Sequence, residues 1–225
     1  MKSYLAPPYV VHALACLLIL TTSVPAKDGE FKMPAGNVSK PEKKVIPAAE
    51  LSRAWTAETR SFGVAPAVEK RSTTISADHL RSLRASGADR GINVIPDGQG
   101  GGQITVGVDP SGSVTFQNIL FKLNSTELAD EVSRQQVEQI AQAIKTANGK
   151  TFVLEGHTCD LGSDGHNLGL SERRAAAIMQ MLSARGVSPA QLLPLGFGEA
   201  KPAVPNTSEA NREENRRVII SVRQG

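Results

Sequence analysis

Residues 151–185 read TFVLEGHTCDLGSDGHNLGLSERRAAAIMQMLSAR. Thr151–Glu155 is a short apolar run that predicts a strand. Gly156–His166 is polar and glycine-bearing, which predicts a loop. From Leu170 the apolar residues return at helical spacing. Leu170, Ala177, Ile178, Met181 and Leu182 form one stripe, and Gly186 closes it, so a helix is predicted over Leu170–Arg185.

The pattern extends in both directions. Upstream, Leu128, Val132, Val137, Ile140, Ala141 and Ile144 predict a helix from Glu127 to about Ala147, ended by Asn148-Gly149. Before it, Ile104–Val108 alternates like a strand, Asp109–Gly112 is a turn, and Val114–Phe121 resumes the strand. Downstream, Leu192–Leu195 is a strand, Ser208–Glu214 a short helix and Arg217–Val222 a last strand. The order β-α-β-α-β-(α)-β predicts a two-layer α/β sandwich over residues 103–225, with helices covering one face of a mixed sheet.

The rest of the chain reads differently. Nine of the 13 prolines precede residue 111, and aromatic residues make up only 4% of the chain. Residues 27–102 mix charges of both signs and carry little apolar periodicity, so they are expected to be a disordered or low-structure tether. Two short helical patches stand out within them: Ala48–Arg60, with the single tryptophan Trp55, and Ala77–Ser86. Trp55 is expected on a marginal helix rather than at a docking site. Gly98–Gly102 reads as a flexible break. At the N-terminus, Lys2, the apolar run Val10–Leu20 and the small residues Val24-Pro-Ala26 read as a signal peptide over residues 1–26, which predicts export. Cys16 sits inside that run with Leu17–Leu20 after it, the reverse of the order in a lipoprotein signal. Of the two cysteines in the chain, only Cys159 would remain after cleavage, so no intrachain disulfide is expected.

Charge excludes one class of partner. The net charge is +3, and residues 110–225 carry twelve basic and twelve acidic groups. A nucleic-acid footprint is therefore not expected. One basic residue draws attention on physical grounds. Arg174 lies four residues after Leu170 and four before Ile178, so it points with the apolar stripe. A guanidinium there needs a protein carboxylate, an anionic ligand, or a path along which to snorkel to water.

Ile119-Leu-Phe121, Gly156-His-Thr158, Gly162, Asn167, Leu170-Ser171, Arg173-Arg-Ala175, Gly196-Phe-Gly-Glu199, Pro202 and Asn215-Arg-Arg-Val218 follow one another at characteristic spacings. This set resembles the OmpA-like C-terminal domain shared with peptidoglycan-associated lipoproteins and flagellar stator proteins. The resemblance spans about residues 113–222. It implies non-covalent binding of peptidoglycan by an exported envelope protein at the periplasmic side of the outer membrane. It implies that Arg174 clamps the carboxylate of diaminopimelate in the stem peptide, a contact that suits a planar fork. The family's second anchor is an aspartate directly after Gly-His-Thr, which takes the ammonium of the same group. Here that position is Cys159, and Asp160 follows it.

A neutral thiol cannot supply the missing charge. Loss of such a contact costs about 1.5–3 kcal/mol. The expected binding set is Thr158, Cys159, Asp160, Asn167, Arg174, Arg216 and Arg217. Asn167 could also cap the following helix, and strand alternation lets only one of Arg216 and Arg217 face the site. The alternative is a structural or protein-interaction module of the same fold that has lost the ligand because of Cys159. No catalytic residues, cofactor or metal are expected: His157, Cys159, Asp164 and His166 match no zinc spacing, and a Cys159–His157 pair lacks an orienting acid. Other envelope proteins are expected to meet the N-terminal segment.

Overall fold

A computed structural model of the chain describes residues 44–56, 68–89, 92–147 and 149–224. The expected signal peptide, Cys16 and residues 27–43 lie outside the described residues. The elements are α1 (Ala48–Thr56), β1 (Glu69–Ile75), α2 (Ala77–Ser86), β2 (Asn93–Pro96), β3 (Gly102–Phe116), α3 (Glu131–Thr146), β4 (Phe152–His157), α4 (Asp164–Ser183), β5 (Leu192–Gly198), α5 (Glu209–Asn215) and β6 (Val218–Gln224).

The six strands form one mixed sheet in the order β1-β3-β6-β4-β5, with β2 also on β3. β4 and β5 are parallel and joined through α4; the other pairs are antiparallel. Alternation along β4 divides the core. Phe152 and Leu154 face a cluster containing Leu51 and Trp55 of α1, Ile140 and Ile144 of α3, and Ile178 and Leu182 of α4. Val153 faces the other side, with Leu193, Leu195, Ile104, Val106 and the α2 residues Leu80 and Leu83. The sheet curls over this second cluster. The hydroxyl of Thr73 in β1 donates to the carbonyl of Gly196 in β5 at 2.7 Å, bringing the two edge strands together.

The turn expected at Asp109–Gly112 is a bulge within one long strand. Val108 pairs with Arg223 and Ser113 with Ser221, so β3 carries extra residues between two ladder positions. An odd number of extra residues reverses side-chain parity. Ile104, Val106 and Val108 therefore face the second cluster, while Phe116 faces the first.

The low-structure expectation for residues 27–102 does not hold for their described part. Residues 41–225 group into one compact unit. Trp55 is fully buried, with its ring edge-on to Phe152 at 5.1 Å. Its helix is held by bonds from the Ile46 and Ala48 amides to the side chains of Gln136 and Gln139 on α3. The reason is physical. These elements are too short to nucleate alone, and they contribute a few large side chains to cores built elsewhere. β1 is harder still to read, because apart from Ile75 its inward residues are polar: Arg71 meets buried Glu155 at 3.0 Å. Ser76 caps α2 through the His79 amide, and buried Glu172 of α4 accepts from both the amide and the hydroxyl of Ser76.

Two glycines, Gly156 and Gly196, set the approach of α4 to the sheet. A Cβ on Gly156 would lie 2.5 Å from the Ser171 carbonyl oxygen, and one on Gly196 would lie 2.6 Å from atoms of Ser171 and Glu172. Both positions require hydrogen for the helix to seat at this height.

Candidate functional site

The end of β4, the loop after it, the start of α4 and the start of α5 surround a cavity of about 600 Å³. Its lining includes Thr158, Cys159, Asn167, Arg174, Glu209 and Arg216. The sequence-predicted residues thus divide. Thr158, Cys159, Asn167, Arg174 and Arg216 line this cavity, whereas Asp160 and Arg217 do not.

Arg174 projects from the middle of α4 and is half-buried. Its Nε donates to the carbonyl of Ser125 at 3.1 Å and one terminal nitrogen to that of Lys122 at 3.3 Å. The guanidinium also sits over the Phe121 ring, 4.9 Å from its centre. No carboxylate among the described residues pairs with it. Burial pulls its pKa below the ordinary arginine value, and the neighbouring charge of Arg216 pulls the same way. Both effects express one fact: this cation lacks a compensating anion.

Arg216 follows the buried Asn215 at the end of α5. The Asn215 side chain is fixed by bonds to the backbone at Ala203 and Val204 and to Asn206. One terminal nitrogen of Arg216 donates to Glu209 at 2.6 Å and the other reaches the Cys159 sulfur at 3.5 Å. Burial works to lower its pKa, but the bonds to Glu209 and Cys159 outweigh that and raise it. Arg217 takes the other direction. It lines a smaller adjoining cavity, is 8% exposed, and donates to the carbonyls of Lys201 and Asn215. Burial lowers its pKa, opposed by the charge of Glu155. Of the two, Arg216 is the one that lines the main cavity, although both precede β6 and strand alternation does not separate them.

Asp160 turns outward to Arg212 at 2.9 Å. Asn167 is not a cap. α4 begins earlier than its apolar stripe, with Ser163 capping through the His166 amide. Asn167 lies in the first turn, where its amide nitrogen donates to the Cys159 carbonyl at 3.2 Å and to Glu199, shaping the loop. The Thr158 hydroxyl is buried without a partner. Glu209 escaped the sequence reading, because nothing in its local pattern marks it. Only the fold of α5 against the β4 loop brings it to the cavity.

His157 belongs to a different cluster. It stacks on Phe197 at 5.2 Å and lies 3.4 Å from Glu155. Burial pushes its pKa below the ordinary value, against the raising effect of Glu155. Among the described residues, no three metal-ligating side chains gather to hold an ion.

A sandwich with a side-chain-lined cavity, and in it an arginine with no carboxylate partner among the described residues, has the chemistry to receive an anionic group. The sequence profile of the OmpA family matches residues 120–216. The chain is 35% identical over 127 residues to a peptidoglycan-associated lipoprotein of Legionella pneumophila, covering 53% of this chain and 72% of that protein. It is 38% identical over 112 residues to the outer-membrane lipoprotein YfiB of Pseudomonas aeruginosa, covering 50% of this chain and 63% of that one. Among solved structures, the peptidoglycan-associated lipoprotein of Burkholderia pseudomallei is 30% identical, with a TM-score of 0.43, covering 47% of this chain and 88% of that one. The chain belongs to the OmpA family. It spans about three-fifths of the length of the first two curated relatives, 63% and 59%.

Proposed function

We propose that the cavity binds the diaminopimelate-containing stem peptide of peptidoglycan through Arg174. The protein would thereby tether the cell wall to other envelope components from the periplasmic side of the outer membrane. The observation that carries this reading is Arg174 itself: a half-buried cation, lining a cavity, with no carboxylate partner among the described residues. Two carbonyls occupy some of its donors, and a guanidinium has five. The buried, unpartnered hydroxyl of Thr158 beside it supplies a further polar group for a ligand. Relatives named peptidoglycan-associated lipoproteins support the same choice.

A second reading is favoured by a specific observation. Cys159 presents a sulfur to Arg216, and Asp160 is engaged with Arg212, so neither supplies a carboxylate to the cavity. On that reading the domain keeps the fold as an interaction module and has lost the ligand. Co-sedimentation with diaminopimelate-type cell-wall sacculi separates the two. The stem-peptide reading predicts that the protein sediments with the wall and that Arg174→Ala does not. Sedimentation of neither protein would favour the interaction module, and equal sedimentation of both would overturn the role given to Arg174.

A further inference from the structure

Glu209 is the only carboxylate among the described residues that line the main cavity. It lies at the first turn of α5 and shares the cavity lining with Arg174 of α4. One of its oxygens accepts from Arg216 at 2.6 Å. A carboxylate has about four acceptor sites on two oxygens, so this bond leaves capacity for a second donor. Of the acidic side chains near this loop, Asp160 is committed to Arg212 and Glu199 accepts from the Asn167 amide. Cys159 offers a sulfur and no carboxylate, and is itself approached by Arg216.

We infer that Glu209 is the anionic half of this binding site and accepts the ammonium of the ligand, in the role that position 159 cannot fill. The inference rests on the stem-peptide reading above. The cavity lining then carries both signs: Arg174, and Glu209 steadied by Arg216. A group bearing a carboxylate and an ammonium on one carbon complements both. Arg216 acts through Glu209 as a positioning residue, since its terminal nitrogens hold the carboxylate and the loop sulfur together. The Glu209 side chain is 67% exposed, so the contact is screened and weak. Its loss should cost about three- to fivefold in affinity.

The test uses the full chain and two soluble muramyl tripeptides. One carries diaminopimelate. The other carries 2-aminopimelate, which keeps the distal carboxylate and lacks the distal ammonium. Calorimetry should show the parent binding the first about three- to fivefold more tightly than the second. Glu209→Gln should bind both equally, at the weaker affinity, while Asp160→Asn keeps the parental preference. A merely structural role for Glu209 would weaken both peptides and leave their ratio intact, which overturns the inference. Equal binding of the two peptides by the parent overturns it as well, yet leaves the stem-peptide reading standing. Failure of the parent to bind either peptide overturns both.

Discussion

Truncating Trp55 to alanine tests whether the N-terminal segment is part of the folded unit. The side chain is fully buried, packs edge-on to Phe152 at 5.1 Å, and belongs to the cluster shared by α1, α3 and α4. A buried Trp→Ala change costs about 3–5 kcal/mol. The indole nitrogen is buried without a partner. Removing it recovers about 1 kcal/mol of that cost. The net loss is then about 2–4 kcal/mol. For a unit running from residue 41 to residue 225, each kilocalorie lowers Tm by about 2–4 °C, so a fall of about 5–15 °C is expected. Thermal unfolding followed by circular dichroism measures it. A variant that melts within about 1 °C of the parent would show that α1 does not dock on α3 and that the compact unit begins further along the chain.

Other substitutions probe different joints. Gly196→Ala places a Cβ 2.6 Å from atoms of α4. It should lift the helix from the sheet and lower Tm by several degrees, whereas Gly149→Ala meets no atom within 4 Å and should cost only the strain of its positive φ. Arg71→Ala strands the fully buried Glu155. It should cost about 3–5 kcal/mol in denaturant unfolding, and the Arg71→Ala/Glu155→Gln double variant should recover part of that. His157 is held neutral by burial, with its folded pKa below the ordinary 6.5. The unfolded chain therefore binds the extra proton first. Stability should be full above about pH 6.5 and fall as pH drops below it. His157→Gln should flatten that slope in urea titrations across pH; an unchanged slope would assign it elsewhere.

The sequence was most readable where period and length agree. α3 and α4 announce themselves by apolar spacing, and β4, β5 and β6 by short apolar runs. Arg174 was legible because a charge on an apolar stripe demands an explanation. Three things were hidden, each for a physical reason. β1 faces inward with Arg71 and Thr73 and only one apolar residue, Ile75, so it has no apolar alternation to read; the partners of the polar pair, Glu155 and the Gly196 carbonyl, come from distant strands. The bulge in β3 reads as a turn because Asp109-Pro-Ser-Gly112 has turn chemistry, although the strand continues through it. The cavity's carboxylate, Glu209, meets Arg216 locally, from the other end of α5, but it is fifty residues from Cys159, and only tertiary packing brings α5 to the β4 loop. The choice between Arg216 and Arg217 needed only the direction of one side chain. The departure from the expected pattern at Cys159 was visible at once, while the outward turn of Asp160 toward Arg212 was not.

The most direct test of the binding account is calorimetric titration of the full chain with the diaminopimelate stem peptide, comparing the parent with Arg174→Ala and Cys159→Asp. Removing the unpaired guanidinium should abolish measurable binding. Placing a carboxylate at position 159 should strengthen binding by roughly ten- to a hundredfold. Circular dichroism melts of each variant guard against misfolding, because Arg174 also holds the Lys122 and Ser125 carbonyls. A folded Arg174→Ala protein that binds the peptide as the parent does would contradict the account.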